Sequence, residues 1–208
     1  MPEITKSHAL EIARAAIRHE THTLQKLEGE LGEPFWQCAR LLIDCTGLVW
    51  ITAVGTSASV GMRFAHILTC SGARAMFLSP SDGLHGHTNA MQSGEVLVAM
   101  SRGGESQEVI QMVSIANQLG VKTIGFLHNL DSSLARISQY LLPIQSQQQD
   151  ELMGYLATTS TVAFSAMCDA LCAVVALAKG FTPEQLAIVH PGGAVGQVLA
   201  APDENKKE

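Results

Sequence analysis

Five short apolar runs, separated by segments of helical period, set the strongest limit on what this chain can fold into. Residues 48–54, 75–78, 96–100, 121–127 and 140–142 are almost continuously apolar and rich in β-favouring side chains. A strand that is apolar at every position is buried on both faces, which is the condition of a parallel sheet covered by helices. Between the runs, 58–71 and a stretch ending at Leu119 have helical spacing. Residues 156–180 are Ala-rich and predict a longer helix, ending at Gly180 with Lys179 in its last turn. A short helix over 183–189 follows. Ahead of the first strand, Leu10, Ile12, Ala13, Ala16, Ile17, Leu24 and Leu27 predict a helix over 4–28. Gly29 and Gly32-Glu33-Pro34 break it, and 35–46 reads as a second helix. The expected architecture is a three-layer α/β/α, doubly wound parallel sheet of the flavodoxin-like kind. A helical arm over 1–46 packs on the domain at 47–200 or on a partner subunit, and a polar tail covers 201–208.

Composition excludes several classes of function. With 208 residues, 47% hydrophobic and 15% charged, the chain suits one folded domain, not a disordered segment. A net charge of -6 and a pI of about 5.7 argue against a nucleic-acid partner, which calls for a basic stripe. Lys206-Lys207 is the one basic pair of note, in the polar tail. The arm has no evident helix-turn-helix. Five cysteines (Cys38, Cys45, Cys70, Cys168 and Cys172) lack framework spacing and read as reduced core thiols of a cytoplasmic protein. No secretory leader is expected, and no membrane span, since Ser165 and Asp169 interrupt the most apolar stretch.

Two loops at strand ends carry candidate chemistry. Gly55-Thr56-Ser57-Ala58-Ser59 follows the first strand, and Ser101-Arg102-Gly103-Gly104-Glu105-Ser106 follows the third. Helix N-termini leave backbone N–H groups free and carry partial positive charge, so they suit an anion such as phosphate. Glycine allows close approach, hydroxyls add donors, and Arg102 offers a charge-assisted bond. Either loop alone is better explained as helix capping; the two together shift the balance toward an anion site. Neither matches a nucleotide-binding pattern.

These loops resemble the sugar-phosphate-binding loops of the sugar-isomerase (SIS) family. Three further segments resemble its arabinose-5-phosphate isomerase branch: Ser79-Pro80-Ser81-Asp82-Gly83-Leu84-His85-Gly86, Leu156-Ala157-Thr158-Thr159-Ser160-Thr161 and His190-Pro191-Gly192-Gly193-Ala194-Val195-Gly196. The resemblance spans about 47–199. It implies a cofactor-free aldose–ketose isomerase acting on a sugar phosphate, and a homo-oligomer, typically a tetramer, with active sites shared between subunits. Gly55, Thr56, Ser57, Ser101, Arg102, Gly103 and Ser106 are the expected phosphate-binding residues, and Glu105, His190 and His85 the expected catalytic ones. The family's Lys in the first loop is Thr56 here, and its Lys-Glu pair ahead of the LAPTSST-like segment is replaced by Gln148-Gln149, with Asp150 and Glu151 following. The CBS domains of longer relatives are expected to be absent.

Isomerisation needs a base beside the carbonyl and groups that shuttle hydroxyl protons. The base is open between Glu105, His190 and Asp150/Glu151, and Glu105 is equally suited to favour a helix start. A histidine is matched to proton transfer near neutral pH. His85-Gly86-His87 lacks a third ligand and gives no metal site. His128 is expected to be a bystander, and His8, His19, His22 and His66 to pack on helices or face solvent. A sugar-phosphate sensor without turnover, or chemistry on an amino sugar phosphate, remain as alternatives.

Overall fold

The five apolar runs form one parallel sheet in the computed structural model, which describes residues 4–193, 196 and 197. The tail at 201–208 with Lys206-Lys207, and Ala194-Val195 of the HPGGAVG segment, lie outside the described residues. The strands are β1 (Val49–Ala53), β2 (Ala75–Phe77), β3 (Val96–Met100), β4 (Lys122–Leu127) and β5 (Tyr140–Pro143), in the order β2-β1-β3-β4-β5. The α-helices that accompany them are α1 (Lys6–Gly29), α2 (Glu33–Asp44), α3 (Gly55–Cys70), α4 (Pro80–Gly83), α5 (Gln107–Gln118), α6 (Ser133–Ile137), α7 (Thr159–Lys179) and α8 (Pro183–Val189). The three-layer α/β expectation holds. The first-loop segment differs in one respect: α3 begins at Gly55 instead of near 58, so Thr56 and Ser57 occupy its first turn.

Side-chain alternation divides the core between the faces of the sheet. Val49, Ile51 and Ala53 of β1, with Val96, Val98 and Met100 of β3, pack against α2, α3 and α7. Trp50, Leu97 and Ala99 face the other way, onto Val109, Met112, Val113 and Ala116 of α5 and Leu134 of α6. Every residue of β1 and of β3 is buried, as a sheet covered on both sides requires.

The N-terminal helices pack on this same chain. Leu27 of α1 and Cys38, Ala39 and Leu42 of α2 belong to the α3/α7 core layer. Lys179, at the end of α7, donates from Nζ to the carbonyls of Ile43 and Cys45 (3.0 and 3.4 Å), a cation satisfying the carbonyls at the end of α2. Length and apolarity would let α7 cross a bilayer, which differs from the sequence expectation. Its inner stripe, Ala163, Phe164, Met167, Cys168, Leu171, Cys172 and Val175, is instead buried against the sheet and α3, the signature of a core helix. All five cysteines are free thiols; burial pushes Cys38 and Cys172 up to about 12, which makes them inert.

Glu95 fastens β1 and β3 at the edge of the sheet where both strands begin. Its buried carboxylate accepts from Leu48 N–H (2.8 Å), Trp50 Nε1–H (2.7 Å) and Gln92 N–H (2.9 Å). Burial alone would raise its pKa, but these three donors and the charge of Arg74 outweigh that and hold it below 4.5. Glu95→Ala leaves buried donors without an acceptor and is expected to cost about 3 kcal/mol in urea unfolding at pH 7. A carboxyl depressed in the folded state stabilises above its unfolded pKa. The difference between wild type and Glu95→Ala should therefore shrink as pH falls through the folded value, below 4.5.

Candidate functional site

The strand order reverses direction at β1, so the crossovers after β1 and β3 leave on opposite faces and open a crevice between them. Register fixes the level of the loops. Ala53 lies opposite Met100, and Met100 opposite Phe126, so β1, β3 and β4 end side by side. Val54 is extended, and Gly55, the first residue of α3, is left-handed at φ +59°, a region that disfavours any side chain. The first backbone bond of α3 is Ala58 N–H to the Val54 carbonyl, and no side chain caps the helix. The amides of Gly55, Thr56 and Ser57 are thus without a partner among the described residues.

The second loop is tighter. Gly104, at φ +71°, donates to both the carbonyl and the hydroxyl of Ser101 (3.2 Å each). A Cβ at Gly104 would collide with Ser132 Oγ, so the turn admits only glycine. Ser106 stands at the N-cap of α5 but does not cap it; its hydroxyl turns to Ser101 Oγ at 3.2 Å. The amides of Gln107, Glu108 and Val109 accordingly have no partner among the described residues, with Ile110 N–H making the first bond, to Ser106. Two uncapped helix starts and a pair of serine hydroxyls therefore border one crevice, an arrangement that suits an anion. Gly103 is exposed at the tip of this loop.

Arg102 does not project freely into solvent. Its Nε lies 3.2 Å from Ser146 Oγ and 3.4 Å from Glu151 Oε1, and a terminal nitrogen reaches the Ser146 carbonyl at 3.4 Å. Glu151 is itself buried at the start of α7, where it accepts from Thr158 N–H (2.7 Å) and Ser160 N–H (3.1 Å). Its carboxylate supplies the cap that the Thr158 side chain does not. A small cavity of about 20 Å³ joins Ser57, Arg102, Ser160 and Thr161, and an open groove of about 540 Å³ continues from it between α3 and α7. On its other side Arg102 lines a polar cavity of about 180 Å³ with His22 and Lys26 of α1, His128, and Gln145 and Gln147 after β5. His128 is pushed below its ordinary pKa by burial, then by the charges of Arg102 and Lys26, and stays neutral at pH 7. It is a wall of this cavity, where the sequence offered only a bystander. Nothing local in the sequence could have placed His22 and Lys26 there, because α1 reaches the strand ends only through the fold. Asp150 is taken up by His19 of α1, at 2.7 Å.

The three expected catalytic side chains are not gathered together within one chain. Glu105 is exposed at the outer side of its loop and accepts from Ser133 N–H at 2.9 Å; that bond and the Ser133 hydroxyl hold its carboxyl below the usual range. His85 is exposed in the turn after α4. His190 follows α8 with Nε2 3.8 Å from Cys70 Sγ, at the far end of α3. At 1.5 Å per residue that is about 22 Å from Gly55.

Comparison with known proteins agrees with this geometry. The SIS domain profile matches residues 42–174. An arabinose 5-phosphate isomerase KdsD of Salmonella typhi is 30% identical over 180 residues, 86% of this chain and 55% of that protein. The chain spans a little over half the length of the curated relatives it matches. Among solved structures, a candidate sugar-phosphate isomerase from Listeria monocytogenes superposes with a TM-score of 0.87 at 26% identity, over 91% of this chain and all of that one. The fold is also that of Escherichia coli CFT073 c3406, solved as a ligand complex, at TM-score 0.85 and 20% identity, over 90% of this chain and all of that one. With more than half of its length matched by the domain and its strand order, helix starts and serine pair in place, the chain belongs to the SIS domain family.

Proposed function

We propose that the chain is an aldose–ketose isomerase of sugar phosphates, with a pentose 5-phosphate of the arabinose type as the first substrate to test. The observation that carries this reading is the pair of uncapped helix starts at one crevice, with the Ser101 and Ser106 hydroxyls facing each other between them. Relatives bearing the name arabinose 5-phosphate isomerase, about 30% identical across most of this chain, support the substrate class.

In this reading the phosphate sits on the amides of residues 55–57 and 107–109 and on the hydroxyls of Ser57, Ser101 and Ser106. Arg102, steadied by Glu151 and Ser146, supplies positive charge beside it. Catalysis proceeds by removal of the proton on C2 of the aldose, formation of a cis-enediol, and return of a proton to C1, while O1 is protonated and the O2 hydroxyl gives up its proton. Glu105 is the carboxylate closest in sequence to the phosphate loop and acts as base once released from Ser133. His190 and His85 complete the site of a neighbouring copy, since His190 lies too far from the phosphate loops of its own chain. Exposed apolar side chains on α1 (Ile12, Ile17) and around the α7 start (Leu152, Tyr155, Leu156) support a homo-oligomer, assigned as a tetramer. Five unpaired thiols fit a reducing, cytoplasmic compartment.

Incubation with ribulose 5-phosphate in heavy water should place solvent deuterium on the product carbon. Absence of both exchange and conversion across pentose and hexose phosphates, with thermal stabilisation by the same compounds, would replace the isomerase reading by a sensor. Replacing Ser101 and Ser106 together by Ala should weaken phosphate-ester binding by about 10–100-fold, at roughly 1.5–3 kcal/mol for bonds to a charged group. His190→Ala should be inactive alone, and the Ser101/Ser106 double variant strongly impaired at low substrate concentration. Remixed into common oligomers they should recover activity, which a site confined to one chain would not do.

A further inference from the structure

At the end of α3 remote from the phosphate loops, three metal-ligating atoms converge. His66 Nε2 lies 3.9 Å from Cys70 Sγ, and His190 Nε2 lies 3.8 Å from the same sulfur. All three ligand atoms fall within 4.8 Å of one another. His66 and Cys70 are four residues apart on one helix, hence on one face. His190 comes from 120 residues further on and is held by its own local structure. The capping box of Thr182 and Gln185 starts α8, and the His190 N–H donates to the Leu186 carbonyl at 2.9 Å. The two imidazoles meet edge to face with ring centres 6.3 Å apart.

Cys70 is shared by both rings: its thiol can donate to one imidazole Nε2 and accept from the other, at nearly equal distances. His190 Nδ1 is buried with no partner among the described residues, so Nε2 is the atom through which that ring makes its polar contact. A cation held between them would take the sulfur and both Nε2 atoms as ligands at once, leaving His190 Nδ1 to carry that ring's proton. Tetrahedral zinc, with Zn–S of about 2.3 Å and Zn–N of about 2.0–2.1 Å, sets N···S separations of roughly 3.6 Å. The observed N···S separations of 3.9 and 3.8 Å are a few tenths of an ångström longer, and rotation of the partly exposed side chains would close them and draw the two nitrogens together. Two imidazoles and a thiolate are a donor set for zinc and its softer neighbours, not for magnesium or calcium.

We propose that His66 Nε2, Cys70 Sγ and His190 Nε2 form a zinc-class metal site at the C-terminal end of α3, with the fourth position open to water. Formation of the metal–sulfur bond releases the Cys70 thiol proton to solvent, and the two imidazoles bind as neutral ligands. The bound ion fastens the segment after α8 to α3. The sequence spacing of His85 and His87 pointed to no metal; these ligands become neighbours only in three dimensions. The proposal does not rest on the sugar-phosphate reading; a metal on His190 Nε2 excludes proton transfer by that nitrogen, so His190 serves the isomerase site only in chains whose metal site is empty.

Cobalt(II) titration of the full-length protein, stripped with chelator, tests it. One equivalent per chain should give the thiolate-to-cobalt charge-transfer band and the strong visible bands of a tetrahedral site, and zinc should bleach both. Cys70→Ala should abolish the charge-transfer band. His66→Ala, at an exposed helical position with unchanged circular dichroism, should abolish stoichiometric binding, and His8→Ala should leave it intact. A wild-type protein that gives no charge-transfer band, a band that survives Cys70→Ala, or binding indifferent to His66→Ala overturns the proposal.

Discussion

The reversal of winding between β1 and β3 is the constraint on which the rest of the molecule depends. Had both crossovers run to the same face, α3 and α5 would lie side by side and their first turns would compete for the same space. Because they diverge, the strand ends part and leave a polar crevice in an otherwise apolar sheet. The interior on both sides is closed by large apolar side chains such as Phe64, Phe126, Met100 and Met112, so the crevice is the place where backbone donors can stay unpaired at little cost.

Charge is arranged around that crevice with each group committed to a neighbour. Arg102 links the two cavities while resting on Glu151 and Ser146. Glu151 in turn serves the amides of α7, and Glu105 serves the start of α6. On the proposed function, a chain with a net charge of -6 draws its anion by local dipoles and one guanidinium, not by its overall field. Holding Arg102 by a buried carboxylate lowers its freedom to move and presents it in one orientation, which favours recognition of a planar or tetrahedral oxyanion.

Much of the fold was legible from the sequence because its strands are buried on both faces and its long helices show clear periodicity. The elements that escaped are short. The turns of α4 and α6 have four and five residues, too few for a period to show. The start of α3 was read late because Gly55, Thr56 and Ser57 look like a loop, and a left-handed glycine leads directly into the helix. At the site, Ser101, Ser106, Gly104 and Arg102 stood out through their composition between a strand and a helix. Counting along the chain left the roles of Asp150 and Glu151 open. A single 3-10 turn at 148–150 and the backbone reversal at Met153 decide which of the two points at Arg102 and which at His19.

The sequence by itself determined the α/β class, the parallel sheet, the two anion-suited loops and the family, since each rests on local pattern or motif. Tertiary structure alone decided where long-range partners meet. It turned Glu105 outward to Ser133, sent Glu151 to Arg102, brought His22 and Lys26 of α1 to the strand ends, and carried His190 to His66 and Cys70. The physical reason is that helix and strand periods are written in neighbouring residues, whereas the meeting of side chains 28 or 120 residues apart depends on how whole elements pack.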